Sequence, residues 1–302
     1  MLRWHRPLLF LSAVMAALAL VFLILVFVDG RTLDGLPIWI KPMKFAISFA
    51  LYSFTWAWLL SLRRRAGRVS RWAGAALVVA AFVEVALITF QAARGRHSHF
   101  NEVTSLDGSI WTAMGVTIGV LMLANLVAAV FVIVDRRADR VSAWAVRLGI
   151  VISTLGIASG GLMVTGVPGQ TWAEDFAGAH SVGVADGGPG LPVVGWSTVG
   201  GDLRVPHFVG MHALQSLPLL ALLLAALSVR FAVLRHEEVR LRLMLIAGGA
   251  YGCLFLLLLW QALRGQPLVR PDVATLAVLG VLAVTVIGAA AAALLPRREP
   301  AS

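Results

Sequence analysis

Eight stretches of the chain are dominated by apolar residues over lengths of about twenty or more. They run roughly over 8–28, 38–61, 72–93, 109–134, 145–166, 207–232, 241–263 and 272–295. A helix that crosses a bilayer needs about 20 predominantly apolar residues. The pattern therefore predicts an all-α integral membrane protein with about eight transmembrane helices. The first run follows a basic start, as a signal peptide would. Over 8–28, however, it is too long for one and is not followed by a small-x-small cleavage site, so it reads as a retained helix.

Composition agrees. Mean hydropathy is +0.87, with 59% hydrophobic and 13% charged residues, against roughly 45–50% and about 25% in soluble domains. Those departures exclude a soluble enzyme, a disordered chain and a disulfide scaffold. The lone Cys253 lies in the seventh run, where it reads as a small packing residue without disulfide or dithiol chemistry.

The net charge of +10 gains meaning from its placement. With the N-terminus inside, seventeen of the 25 basic residues fall on the cytoplasmic side, and every inner loop is arginine-rich. This is the positive-inside pattern; it puts both termini in the cytoplasm of a bacterial cell with a multi-pass protein in the plasma membrane. Trp39, Trp111, Trp172, Trp196 and Trp260 fall near the outer boundary and Trp4, Trp58, Trp72 and Trp144 near the inner one, as interfacial belts do. The basic charge thus orients the chain and meets anionic membrane lipids, and nucleic acid is not an expected partner.

The chain also repeats. Gln91-Ala-Ala-Arg94-Gly95 closes the third run and Gln261-Ala-Leu-Arg264-Gly265 the seventh, 170 positions apart. Lys44 opens the second run where His212 opens the sixth, and Asp107 and Asp272 open the fourth and eighth. Four spans per unit predict a parallel repeat about an axis along the membrane normal, with halves 1–138 and 139–302. Gly156 with Gly160, and Gly248 with Gly252, are small residues four apart that allow close helix packing.

Polar residues outside the inner loops gather on the outer side, with five of seven histidines: His97, His99, His180, His207 and His212. Glu84 stands apart, near the middle of the third run, where an ionisable group is costly unless paired or protonated. Gln91 follows it on the same helix face, with Arg94 one step round at the mouth, and the stripe leads on to Arg96, His97, His99 and Asn101. Lys41 and Lys44 are the only lysines; Lys41 reads as a snorkelling interfacial residue or a ligand contact, and Lys44 as an anion clamp or general base. The 167–206 connection is too long for a simple link and predicts a lid, ending in a polar run with Asp202, Arg204, His207, His212 and Gln215. Glu84, Lys44, His207 and His212 are the candidate catalytic groups. Lys41, Gln91, Arg94, Arg96, His97, His99, Asn101, Asp202, Arg204, Gln215, Gln261 and Arg264 are the candidate ligand contacts, with no dedicated metal site.

Three functions fit these residues. The first is binding or turnover of a small anionic or lipid-like molecule from the extracytoplasmic side, with lysine and arginine on the anion and an imidazole or carboxylate moving a proton. Second, eight helices in two four-helix halves with outer-side histidines resemble the haem A synthase architecture, and that resemblance implies a b-type haem in a membrane redox protein. The sequence departs from it at Lys44, where symmetry calls for a histidine. Third, Glu84 could serve as the proton carrier of a transporter.

Overall fold

The computed structural model describes residues 4–62, 67–134 and 139–295. Long helices dominate: α1 (Arg6–Val28), α2 (Ile40–Ser61), α3 (Arg68–Ala93), α4 (Ser105–Ile133) and α5 (Arg140–Ser159), with α5 continued by the single turn α6 (Leu162–Thr165). Then come α7 (Arg204–Met211), α8 (Ala213–Leu227), α9 (Glu237–Leu263) and α10 (Val273–Leu294). Among the described residues seven spans are long and apolar enough to cross a membrane, and α7 with α8 forms an eighth that is bent by 40°. The architecture is that of a multi-pass helical membrane protein. Several of the arginines behind the expected orientation, Arg3, Arg63, Arg64, Arg65, Arg136, Arg137, Arg297 and Arg298, lie outside the described residues.

Local chemistry sets the helix ends. Thr104 caps α4 by accepting from the Asp107 amide at 3.1 Å, while its hydroxyl donates to the Asp107 carboxylate at 2.7 Å. Asp139 caps α5 through the Val141 and Ser142 amides, and Asp272 caps α10 through the Thr275 amide. Each satisfies donors that have no partner inside the first turn. The break between α7 and α8 falls at His212, whose carbonyl accepts from both Gln215 and Ser216. Pro218 then removes one further amide from the α8 ladder.

Helix α1 packs chiefly on α2, and α3 on α4; in the second half α5 packs chiefly on α7 and α8, and α9 on α10. Small residues permit the tightest crossing. A Cβ on Gly156 would lie 2.4 Å from the Met211 nitrogen, and one on Gly210 would lie 2.6 Å from the Gly156 Cα. On α9, Gly248 makes room in the same way for Leu148, whereas Gly252 meets Ile152 at ordinary contact distance. One apolar core joins both halves, with Leu8, Trp56, Leu77 and Leu121 packed together with Ile150 of α5 and Leu214 of α8. Cys253 departs from its expected packing role, because its position on α9 turns it out of the bundle and leaves it exposed.

The 167–203 segment folds over one end of the bundle, opposite the end where α1 begins and α10 finishes. Antiparallel β3 (Ser181–Val182) and β4 (Gly201–Asp202) tie its two limbs together. A second small ribbon, β1 (Thr32–Leu33) with β2 (Leu36–Pro37), turns through Asp34 and Gly35 with φ of 51° and 73°, the positive values a tight hairpin turn demands. Backbone bonds pin the lid to its surroundings. Glu102 N donates to Asp175 O at 2.9 Å, Ala177 N to Phe100 O at 2.8 Å, and Ala179 N to Met163 O at 3.0 Å. The 167–203 segment is thus packed against its surroundings by backbone bonds.

Candidate polar site beneath the lid

Glu84 is fully buried on α3, and neither carboxyl oxygen has a hydrogen-bond partner among the described residues. The group nearest to pairing with it is His99, whose Nε2 lies 3.8 Å from Glu84 Oε1. That contact requires the loop after α3 to turn inward. Phe100 makes the turn with φ of 62°, an uncommon value for a bulky residue and one that persists only where packing enforces it. Its ring is held by Trp111 and His180, with centroids 5.1 and 4.9 Å away. The His99 ring lies among Phe45, Phe100 and Trp111, and Ser98 Oγ sits 3.0 Å from its Nδ1.

Lys41, at the start of α2, makes no hydrogen bond or ion pair among the described residues, and its charge acts on Glu84, His97, His99 and His180. Lys44, one turn further on, donates to the Val194 carbonyl of the lid at 2.9 Å. Arg204 grips the neighbouring Gly195 carbonyl at 2.6 Å while its guanidinium forks onto Asp202 at 2.6 and 2.9 Å. Asp202 also accepts from the Ser197 and Arg204 amides. The two cations and Asp202 therefore fasten the 193–197 turn of the lid.

Two further imidazoles are fixed by their Nδ1 atoms. His207 Nδ1 lies 2.7 Å from the Gly156 carbonyl, and His180 Nδ1 lies 2.7 Å from Asp186. A carbonyl can only accept, so His207 Nδ1 carries the hydrogen and a neutral ring presents its Nε2 lone pair. The same holds for His180 against the Asp186 carboxylate. Gly160 is part of this arrangement, because a Cβ there would lie 2.8 Å from the His207 ring.

Burial shapes the loop groups. It lowers the His97 pKa, and together with the Lys41 charge it holds His99 well below the ordinary imidazole value. His180 is lowered by burial and by the Arg204 charge, against the opposing pull of Asp186. Burial works against the Asp186 carboxylate, but its bonds to His180 and Ser181 outweigh that and hold it below the usual carboxylate range.

The remaining predicted contacts have other engagements. Gln91 donates to Asp107 at 3.0 Å and to the His97 carbonyl at 3.2 Å, and Arg94 donates to Asp107 at 2.7 Å. Those side chains lock the α3–α4 hairpin rather than reach Glu84. Gln261 donates to the Pro267 carbonyl and Arg264 pairs with Asp272, locking the α9–α10 hairpin. Arg96 is exposed. Asn101 donates to the His97 carbonyl and accepts from the Val103 amide, shaping the loop that carries His99. His97 lies 3.6 Å from Asp34 and edge-on to Phe176. His212 sits at the α7–α8 break, and the buried Gln215 Oε1 lacks a partner among the described residues.

Asp34, His180 and Asp186 complete the cluster without having been singled out as site residues. The spacing of His180 and Asp186 in a Gly-rich loop was the available signal, but only the fold brings their loop onto His99. Among the described residues, no group of three histidine, cysteine or acidic side chains is spaced to hold a metal ion. No family model, curated protein or solved structure matches the chain.

Proposed function

We propose that this protein binds, and handles beneath its lid, a small anionic or lipid-like molecule reached from the extracytoplasmic face of a bacterial plasma membrane. The observation that carries the reading is Glu84: a fully buried carboxyl with both oxygens unpartnered among the described residues, in the field of a lysine, Lys41, that makes no hydrogen bond or ion pair among those residues. Leaving a buried acceptor unmade costs about 1–3 kcal/mol, and more for a charged group. A ligand that supplies the missing bonds accounts for keeping such a group.

The arginine-rich loops support an outward-facing lid. Matching hairpins and helix pairings support two parallel-repeat halves, with Lys41, Lys44, Glu84 and His99 from the first and Arg204 and His207 from the second. Lys41 would hold the anion, while His99 beside Glu84 is the pair suited to moving a proton. A transporter reading finds no ionisable group at the buried α3 positions inward of Glu84, which are Ala81, Ala80, Leu77, Gly74, Ala73 and Ser70; the inward polar groups on the neighbouring helices include the neutral Ser53 and the Tyr52–Asn125 pair.

The test is native mass spectrometry of protein extracted from membranes in mild detergent. A bound anionic mass is expected on wild type and absent from Lys41→Met. Wild type that carries no bound mass and gains no thermal stability from added phosphatidylglycerol would overturn the reading.

A b-type haem is the second reading, favoured by one observation: His180 and His207 have hydrogen-bonded Nδ1 atoms and uncommitted Nε2 atoms, the arrangement of metal-ligating histidines. Such a group would supply one-electron chemistry. A Soret band in protein from haem-replete cells supports this reading, and its absence removes it.

A further inference from the structure

The cluster beneath the lid holds more acceptors than a simple anion can use. In either protonation state Glu84 keeps at least one accepting oxygen, and neutral His180 and His207 each present an Nε2 lone pair. His99 lies 3.8 Å from Glu84, and His99 and His180 pack against the same Phe100 ring; the charges of Lys41 and His207 act on His99. A bare phosphate or carboxylate would satisfy Lys41 and then set its own lone pairs against those acceptors. An ammonium group would satisfy the acceptors but would sit in the field of Lys41 and Arg204, which opposes it.

We propose that the ligand joins an anionic group, held by Lys41, to hydroxyl groups that donate to Glu84 and to Nε2 of His180 and His207. Its class is a phosphorylated or carboxylated polyol, either the glycerol-bearing headgroup of an anionic lipid or the free solute. This rests on the ligand-binding reading above and narrows it. A site built to hydrogen-bond hydroxyls discriminates strongly against an analogue that lacks them.

The experiment compares matched probes on protein in phosphatidylcholine nanodiscs. Calorimetry sets glycerol 1-phosphate against methyl phosphate, and native mass spectrometry sets phosphatidylglycerol against phosphatidylmethanol. The hydroxyl-bearing probe is expected to bind about ten-fold more tightly or better in one arm, and the arm identifies the source. Lys41→Met weakens both members of the pair, whereas Glu84→Met brings their affinities together. Glu84→Met removes a carboxyl with no partner to lose, so its unfolding temperature should stay at or above that of wild type; should it fail to fold, the wild-type comparison decides alone. Equal binding within both pairs, dependent on Lys41, overturns the polyol inference and leaves the ligand-binding reading standing. Binding in neither arm, or binding indifferent to Lys41, overturns both.

Discussion

The hairpins α3–α4 and α9–α10 are built from the same parts and set in different surroundings. In each, a glutamine six residues before its acceptor donates to a backbone carbonyl, Gln91 to His97 and Gln261 to Pro267. The arginine three residues later lies over the ring four positions before it, Arg94 over Phe90 and Arg264 over Trp260. The following glycine takes φ of 67° or 71°, which a side chain would oppose. Each arginine then pairs with the aspartate that opens the next helix. Yet Asp107 is fully buried, while the Asp272 side chain remains 38% exposed. The first hairpin also has the longer loop, and that loop carries His99 to Glu84 and His97 to Asp34. One local motif thus serves as a bare helix lock in one half and as the support of a polar cluster in the other.

The largest expected effect breaks this comparison at its buried member. Asp107→Ala leaves Arg94 and Gln91 without their acceptor and should cost on the order of 3 kcal/mol in detergent unfolding. Asp272→Ala should cost clearly less, because water can replace its contacts. Equal losses would show that burial does not separate the two locks.

A second difference lies in how the lid holds each hairpin. It grips the first by hydrogen bonds and the second by backbone proximity, where a Cβ on Gly201 would lie 2.0 Å from the Ala262 carbonyl. Gly201→Ala should therefore push the lid from α9 and cost about 1–3 kcal/mol. Gly249→Ala, on the same helix with nothing within 4 Å, should be neutral or stabilising. Limited proteolysis of the lid in the two variants checks this.

Acid should separate the halves further. His97, His99 and His180 all have pKa values lowered in the folded state, so an opened lid binds protons more readily than the closed one. Their contribution to closure is complete above the ordinary imidazole value, near 6.5, and is lost as pH falls through their lower folded values. Asp186 acts in the same sense, at lower pH still. Protection of backbone amides, taken relative to the intrinsic exchange rate at each pH, should fall across 170–203 and 96–102 below about pH 6, while that of 264–275, which holds no histidine, should change little. Uniform exchange across both regions would count against a local origin.

The smallest effect is expected from Lys44→Met. Losing one bond to the Val194 carbonyl should cost about 1 kcal/mol, visible as faster exchange at 194–196 with the unfolding temperature nearly unchanged. A global loss of stability would place Lys44 in a larger network than its single bond implies.

Much of this molecule was legible in the sequence. Eight apolar runs set the helices because hydrocarbon admits few alternatives to a helix, and Asp272 marked the start of the last one because capping is local chemistry. The hairpin resemblance was legible too, since Gln91, Arg94, Gln261 and Arg264 act within a few residues of their partners. What they act on was not. Helical spacing placed Gln91 and Arg94 on the stripe of Glu84, but their donors go to Asp107, whose position depends on where α4 returns. Cys253 and the break at His212 likewise depend on which helix lies alongside. The sequence by itself determined the spans and the crowding of polar groups at one end, both of which follow from solvation. Only the tertiary structure decided that His99 reaches Glu84, that His99 and His180 share the Phe100 ring, and that Lys44 of α2 and Arg204 of α7 hold the same turn of the 167–203 loop. Those contacts join α2, α3, α7 and two loops, and chain positions so far apart are related by packing alone.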